Sequence, residues 1–250
     1  MNTSFTHLLL LFVALFYQTS RKPLPENIYP AWFFDPPAGR SASTVGYSDV
    51  RAYVDSAVAA ATREAAVNFV RNREVRIAGE QGLATLAAGT LNVGSTIKEY
   101  YNEDEAGSLA AKLKVIDFFQ RGGAVTLLAS MDSVAGNTNM KRIDATRAPK
   151  PSWTTLIPEK TGYLYDSGLC PAYYNENNSW REAERRGRIN LALTLSTKVK
   201  YMGKKVDNSY FREFQVEETN ATLRNVEIVA RWKDVKNQVC YVLVRMRVGN

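Results

Sequence analysis

The segment 225–247 alternates apolar and polar positions on both sides of a short polar turn. In 226–232 the apolar residues fall on every second position, with Glu227 and Arg231 on the opposite face. Because successive side chains of a strand point to opposite faces of a sheet, the pattern predicts a β-hairpin with one apolar, inward face. The residues expected on that face are Val226, Ile228, Ala230 and Trp232, then Cys240, Val242, Val244 and Met246.

A fainter copy of this hairpin lies at 114–131, around the turn Gly122–Gly123. Its second strand matches 240–246 position by position, which predicts the same inward face. The matching residues are Val125, Leu127, Ala129 and Met131.

A long segment with helical periodicity precedes each hairpin. Small and apolar residues recur at every third or fourth position from Val54 to Phe69, and again from Ala183 to Val199. Small residues are frequent in both rows and allow a helix backbone to lie close to a sheet. Each segment therefore predicts a long helix packed on the sheet that its hairpin completes.

Both halves of the chain also place a Trp and a Gly-Tyr pair ahead of the helix, at Trp32 and 46–47 and at Trp153 and 162–163. The fold class predicted is α+β, with two related units, each a long helix on a small antiparallel sheet that ends in a hairpin. Convergence of two ordinary α+β patterns is the alternative. The predicted organisation is a signal peptide at 1–20, a Pro-rich lead-in at 21–37, a first unit at 38–132, a linker at 133–152 and a second unit at 153–250.

The N-terminus contains an unbroken apolar run of ten residues, Leu8 to Tyr17. As a helix it would span roughly 15 Å, about half the thickness of a bilayer core. This length favours a signal peptide and predicts export, although an uncleaved anchor and a buried terminal segment are alternatives. No cysteine follows the run, so the sequence does not predict a lipid anchor.

The chain of 250 residues has the composition of a folded protein, with a formal net charge of +7. Residues 181–205 carry eight Lys or Arg against two Glu, which accounts for nearly the whole net positive charge of the chain. Such a face is either solvated or a docking surface for an anionic polymer, a lipid head group or an acidic protein patch. Nucleic acid is not predicted, because the aromatic residues lie elsewhere. The candidate contact residues are Arg181, Arg185, Arg186, Arg188, Lys198 and Lys200.

Two predicted loops are dense in aromatic residues. One is AYYNENNSW, with Tyr173, Tyr174 and Trp180, and the other is IYPAWFF at 28–34. Such clusters are either contact anchors for a partner or covers for the open end of a small sheet. Tyr173, Tyr174 and Trp180 are candidate contact residues.

Residues suited to catalysis or metal binding are scarce. The only histidine, His7, lies in the predicted signal peptide, and no phosphate-binding loop motif occurs. Cys170 and Cys240 either form a disulfide or pack as small buried residues. The sequence therefore predicts no catalytic residue, no metal site and no cofactor, and acids such as Asp104 and Glu218 are interpreted as exposed.

The second half resembles a domain of the bacterial Lpp-twenty-type lipoprotein family and is similar to the N-terminal domain of the flagellar assembly protein FlgT. The first half resembles the same pattern more faintly. The resemblance implies an exported, envelope-associated, non-enzymatic protein. The residues that carry it are Trp153 with Pro158, the segment GYLYDSG, the helix WREAERRGRINLALTLSTKV and the tail ETNATLRNVEIVARWKDVKNQVCYVLVRMR.

The sequence thus predicts a binding or scaffold protein of the periplasm or outer membrane, peripheral to the membrane at most, that binds a protein partner or an anionic envelope polymer. It is expected to serve the assembly of a surface or flagellar structure. One alternative is a carboxylate-dependent cell-wall enzyme that uses Asp104, Glu105 or Glu218. Another is a structural subunit of a surface assembly that pairs through exposed strand edges. The sequence leaves the oligomeric state open.

Overall fold

The computed structural model describes residues 23–37, 43–86, 89–131, 139–203 and 214–248, and it describes only the backbone of the residues within 81–94 and 197–217. The predicted signal peptide lies outside the described residues. In the first half the elements are β1 (Ile28–Pro30), α1 (Ala31–Phe34), β2 (Ser43–Tyr47), α2 (Val54–Arg73), β3 (Glu74–Leu86), β4 (Gly89–Ser95), β5 (Lys98–Tyr100), α3 (Glu103–Ala110), β6 (Lys114–Arg121) and β7 (Ala124–Ser130). In the second half they are β8 (Arg142–Asp144), a 3-10 turn (Ser152–Thr154), β9 (Tyr163–Pro171), α4 (Glu176–Gly203), β10 (Phe214–Arg224), β11 (Glu227–Asp234) and β12 (Val239–Arg247).

The two halves build the same antiparallel sheet. Its strand order is β2-β7-β6 in the first unit and β9-β12-β11 in the second. Helix α2 packs on the first sheet and helix α4 on the second. The predicted α+β fold of two related units, each with a long helix on a sheet that ends in a hairpin, is confirmed.

The strand registers define which residues of the two units are equivalent. Gly46 lies opposite Leu127, and Gly168 lies opposite Val242. The Gly-Tyr pairs matched in the sequence are therefore not equivalent, and that part of the comparison is wrong. Gly162 instead occupies the turn before β9, with a left-handed φ of 80° that glycine adopts without strain.

A β-bulge interrupts the hairpin of each unit at the same place. It falls between Val115 and Asp117 in β6 and between Ile228 and Ala230 in β11. One extra residue on a strand moves every later side chain to the other face.

The bulge in β11 overturns part of the predicted alternation. Arg231 is buried and bonds Glu184 of α4, whereas Trp232 packs its ring against Tyr241 on the opposite face of the sheet. The prediction that Arg231 faces outward and Trp232 inward is wrong, because the alternation read from 226 does not continue past the extra residue.

At Gly46 and Gly168, which are equivalent in the two units, the helix lies in close contact with the sheet. A Cβ atom built on Gly46 would lie 2.0 Å from the carbonyl oxygen of Ala61, and one built on Gly168 would lie 2.0 Å from that of Ala183. The helix backbone therefore rests directly on the strand at both positions, as the small residues of the two helices predict.

The two units also share a sheet. Strand β3, which follows α2, pairs antiparallel with β10, which follows α4, from Glu74 opposite Arg224 to Ala84 opposite Phe214. Strands β4 and β5 pair with β3. Within the predicted linker at 133–152, strand β8 pairs with β1 of the lead-in. Backbone hydrogen bonds thus join the halves at two places.

The aromatic segment of the lead-in lies in the core between the units. Tyr29, Trp32 and Phe33 are fully buried. The ring of Phe33 meets Trp180 of α4 at 5.0 Å and Phe119 of β6 at 5.7 Å between centroids. Of the two interpretations of IYPAWFF, the structure shows the covering role. Among the described residues, no helix combines the length and the apolar character that crossing a membrane requires.

We expect alanine at Gly46 or Gly168 to lower the free energy of unfolding by about 3 kcal/mol, because the added methyl group forces the helix off the sheet. The matched control is Gly107→Ala in α3, where a Cβ atom meets nothing within 4 Å. Removing a helix-interior glycine there should stabilise the protein by up to about 1 kcal/mol. Urea unfolding followed by circular dichroism measures both effects, and equal effects at the three glycines would contradict the packing described.

Candidate functional site

The interface between the units is built by one polar stripe of helix α4. Asn177, Arg181, Glu184 and Arg188 recur at four-, three- and four-residue steps, so these four lie on one side of the helix, with Arg185 beside them and Glu176 at the helix start. They contact β2, β5, β6, β7 and the lead-in, all in the first half of the chain. The polar stripe of α4 consists of Glu176, Asn177, Arg181, Glu184, Arg185 and Arg188.

At the start of α4, Glu176 gathers four donors. Its carboxylate accepts hydrogen bonds from the Tyr29 hydroxyl, from Arg121 Nη1 at 2.5 Å, from Lys233 Nζ at 3.2 Å and from Trp180 Nε1 at 3.2 Å. Burial alone would raise the pKa of Glu176, but the charges of Arg121 and Lys233 outweigh it and lower the pKa below its usual value. Glu176 therefore remains ionised and neutralises cations from both units.

The next turn of α4 closes the ends of β2 and β7. Asn177 Nδ2 donates to the carbonyl oxygens of Ser48 at 2.8 Å and Val125 at 3.1 Å. Arg181 donates to the carbonyl oxygen of Tyr47 at 2.8 Å and to Asp49 at 2.7 Å. These bonds tie the start of α4 to backbone carbonyl groups at the ends of β2 and β7.

A buried ion pair occupies the middle of the interface. Glu184 accepts hydrogen bonds from Arg231 Nη2 at 2.6 Å and from the Tyr47 hydroxyl at 2.5 Å. Arg231 also donates to the carbonyl oxygen of Phe33 at 3.0 Å and lies over its ring. Burial raises the pKa of Tyr47 well above its usual value, so its hydroxyl keeps its proton and acts as a donor.

A second buried pair follows one turn later. Arg188 is 2% exposed and donates from Nε to Glu99 of β5 at 2.7 Å. Arg71 of α2 places its Nε 3.5 Å from the other oxygen of Glu99. Burial would raise the pKa of Glu99, but Arg188 and Arg71 lower it instead. This pair fixes β5 and α2 against α4.

The predicted basic face is therefore only partly at the surface. Arg188 is buried and cannot contact a partner, so its place among the surface residues is wrong. Arg181 is bonded to the first unit, while Arg185 and Arg186 remain partly exposed and pair with Glu182. The side chains of Lys198 and Lys200 lie outside those that the structure describes.

The predicted aromatic contact residues also include both buried and exposed side chains. Trp180 is 1% exposed and belongs to the core, so its prediction as a contact residue is wrong. Tyr173 is 48% exposed and Tyr174 fully exposed. Arg186 Nη1 donates to the carbonyl oxygen of Leu169, itself 46% exposed, and its charge acts on Tyr173, while Arg185 and Tyr173 line the same cleft. We define the aromatic–arginine patch as Leu169, Tyr173, Tyr174, Arg185 and Arg186.

Two cavities flank Glu184. One, of about 310 Å³, lies between the end of the lead-in, α2 and β11, with walls that include Val45, Phe69 and Ile228. The other, of about 340 Å³, is a polar cleft between α2 and α4. We name it the α2–α4 cleft, and its lining residues are Glu64, Asn68, Arg71, Glu99, Tyr173, Asn178, Arg181, Glu182, Glu184, Arg185 and Arg188.

The two cysteines lie directly opposite each other on β9 and β12, and both are buried free thiols. Burial raises the pKa of Cys170 and of Cys240, so neither forms a reactive thiolate readily. Among the described residues, no group of three or more His, Cys, Asp or Glu is arranged to hold a metal ion.

The carboxylates considered for catalysis do not converge. Glu105 of α3 pairs with Arg73 at the end of α2. Glu218 lies opposite Glu80 of β3. Glu80 is six residues, or about 20 Å at the rise of a strand, from Glu74, which directly follows Arg73 in the chain. The two acids therefore cannot act on one bond.

Sequence reasoning missed the carboxylates Glu99, Glu176 and Glu184. A signal for one of them existed, because Glu184 alternates in sign with Arg181 and Arg188 along a single helix side. Alternating charges on one side are typical of an ion-paired surface rather than a uniformly basic one.

No protein-family model, no curated protein and no solved structure matches the chain. The resemblance to the Lpp-twenty-type lipoproteins and to FlgT therefore stays a prediction from the sequence.

We expect Glu184→Gln to lower the free energy of unfolding by about 3 kcal/mol, because Arg231 is then buried without a counter-charge. The control is Glu74→Gln, which removes a solvent-exposed pair with Arg224 and should cost less than about 1 kcal/mol. The double variant Glu184→Gln/Arg231→Met should recover part of the loss. Chemical denaturation at pH 7 measures all three, and equal losses for the two single variants would contradict the assigned role of the pair.

Proposed function

We propose that this protein is an exported, non-enzymatic binding or scaffold protein of the bacterial envelope, and that a protein partner with an acidic surface docks on the aromatic–arginine patch. The partner would contact the protein near the start of α4. Both proteins would be in the periplasm or at the outer membrane. Assembly of a surface or flagellar structure is the process that this protein would serve.

The composition and exposure of the patch carry this proposal. Tyr173 and Tyr174 expose large aromatic rings beside two partly exposed arginines. Tyrosine and arginine dominate the energetics of many protein interfaces, because each buries a large area and still forms directional polar bonds. An acidic partner would complement Arg185 and Arg186 and would associate faster at low salt.

The rigid support behind the patch favours a scaffold role. Arg185 donates to the carbonyl oxygen of Ile97 at 3.0 Å, and the Tyr173 amide donates to Ser179 Oγ at 2.7 Å. The first bond ties the patch to the first unit, and the second fixes the loop before α4 to that helix. A surface held in one conformation loses less entropy on binding than a flexible one.

The location rests on sequence features. The apolar run from Leu8 to Tyr17 favours an export signal, and the family resemblance implies an envelope protein. The carboxylate-dependent enzyme is less well supported, because Glu105 and Glu218 lie far apart along the fold. Pairing through exposed strand edges has no specific observation in its favour.

Capture from a native envelope extract tests the proposal. The wild-type chain and three variants are immobilised: Tyr173→Ala/Tyr174→Ala, Arg185→Glu/Arg186→Glu, and the control Arg147→Glu/Arg224→Glu, which reverses two exposed charges elsewhere. We expect one protein species to be retained by the wild type and the control, to be lost from both patch variants, and to elute with added salt. The purified species should then bind the wild-type chain at least tenfold more tightly than either patch variant.

Equal capture by all four chains would contradict the docking surface. Retention of a polysaccharide or of vesicles in place of a protein would identify an anionic polymer or membrane as the partner and overturn the choice of a protein.

A further inference from the structure

We propose that the α2–α4 cleft binds a small oxyanion, a carboxylate or phosphate group, with Arg71 and Arg188 as its principal ligands. The inference goes beyond the docking surface and does not require it, because the cleft is a site for a small molecule behind the patch.

Unpartnered donors in the cleft are the first observation. Arg188 Nη1 and Arg71 Nε are buried atoms with no hydrogen-bond partner among the described residues. Buried N–H groups in folded proteins are nearly always bonded, so an acceptor is expected within reach of Arg188 Nη1, whereas Arg71 Nε already faces a Glu99 oxygen at 3.5 Å without completing a hydrogen bond to it. Both side chains also approach the same carboxylate, Glu99, which brings their guanidinium groups together at one point of the cleft.

The state of the carboxylates excludes a cation as the ligand. Glu99 is bonded by Arg188, and Glu184 by Arg231 and Tyr47. Glu182 is paired with arginines, and Glu64 lies within 3.9 Å of Arg71 and Arg181. A metal cation needs carboxylate oxygens that are free of such partners.

The charges that line the cleft are balanced, with four arginines and four carboxylates, so an anion would be held by donors that remain unpaired rather than by an excess of positive charge. A guanidinium fork binds the paired oxygens of a carboxylate or phosphate well, and a partly enclosed site strengthens that attraction. The arginines are Arg71, Arg181, Arg185 and Arg188, and the carboxylates are Glu64, Glu99, Glu182 and Glu184.

The size of the cleft sets the size of the ligand. A volume of about 340 Å³ is at the lower end of the range for small-molecule sites. Tyr173 lines the cleft and is half-exposed, so the opening lies beside the aromatic–arginine patch. A free phosphate or a short dicarboxylate fits these limits.

Isothermal titration of the full chain with inorganic phosphate and with succinate, at ionic strength held constant with sodium chloride, tests the site. We expect saturable binding of one ion per chain for at least one of the two. Arg71→Gln should weaken binding at least tenfold, as the loss of a charge-assisted hydrogen bond implies. Arg71→Lys keeps the charge but removes the Nε–H donor and should weaken it several-fold.

Two further variants separate this site from general charge effects. Glu64→Gln removes a carboxylate paired with Arg71 and should therefore tighten binding of the anion. This change is opposite in direction to that of the Arg71 variants. The test therefore remains informative even if the Arg71 variants fold poorly. Arg224→Gln removes one exposed positive charge outside the cleft and should leave the affinity unchanged.

Binding of phosphate alone or of succinate alone supports the site and identifies the source of the oxyanion. The proposed site would be overturned if neither ion gave a saturable heat of binding. It would also be overturned if the wild type, Arg71→Gln and Glu64→Gln bound the ion with equal affinity. Because partner capture is measured separately on the patch variants, failure of the anion site leaves the proposed function standing.

Discussion

The buried charges of helix α4 determine how the two units fit together. The helix rests its small residues on its own sheet at Gly168, while its polar stripe faces the first unit. Arg231 and Lys233 point inward from β11, and burying them is costly unless a carboxylate lies beside each. Glu184 and Glu176 provide those carboxylates and bond Tyr47 and Tyr29 of the first half as well. Because hydrogen-bonded charges tolerate few geometries, these contacts favour the arrangement of the units that the structure shows.

Local patterns predicted much of the fold. Period-two alternation located both hairpins, period-four rows located both helices, and the match of Leu127 with Val242 agrees with the strand registers. The bulges were not predictable in this way, since Ile116 and Val229 are apolar like the residues that precede them, Val115 and Ile228. The pairing of β3 with β10 joins residues some 140 positions apart, and alternation within one strand does not indicate its partner in space.

The candidate site was only partly predictable. A helix rich in arginine is typical of a solvated face, and the sequence does not show that Glu99 reaches Arg188 or that Tyr47 reaches Glu184. Trp180 lies on the side of α4 that enters the core, whereas Tyr174 precedes the helix and is exposed. The residues left at the surface, Tyr173, Tyr174, Arg185 and Arg186, form the patch on which the proposed function depends.

Native-state hydrogen exchange tests most directly whether this interface makes the two units one cooperative body. The slowest amides of β2 and β7 and those of β9 and β12 should open with the same free energy and the same dependence on low concentrations of denaturant, because Arg188 of the second unit pairs with Glu99 of the first, and Arg121 of the first unit pairs with Glu176 of the second. Loss of protection in one sheet while the other remains fully protected would contradict the account, since it would show that the units are stable independently of the ion pairs between them.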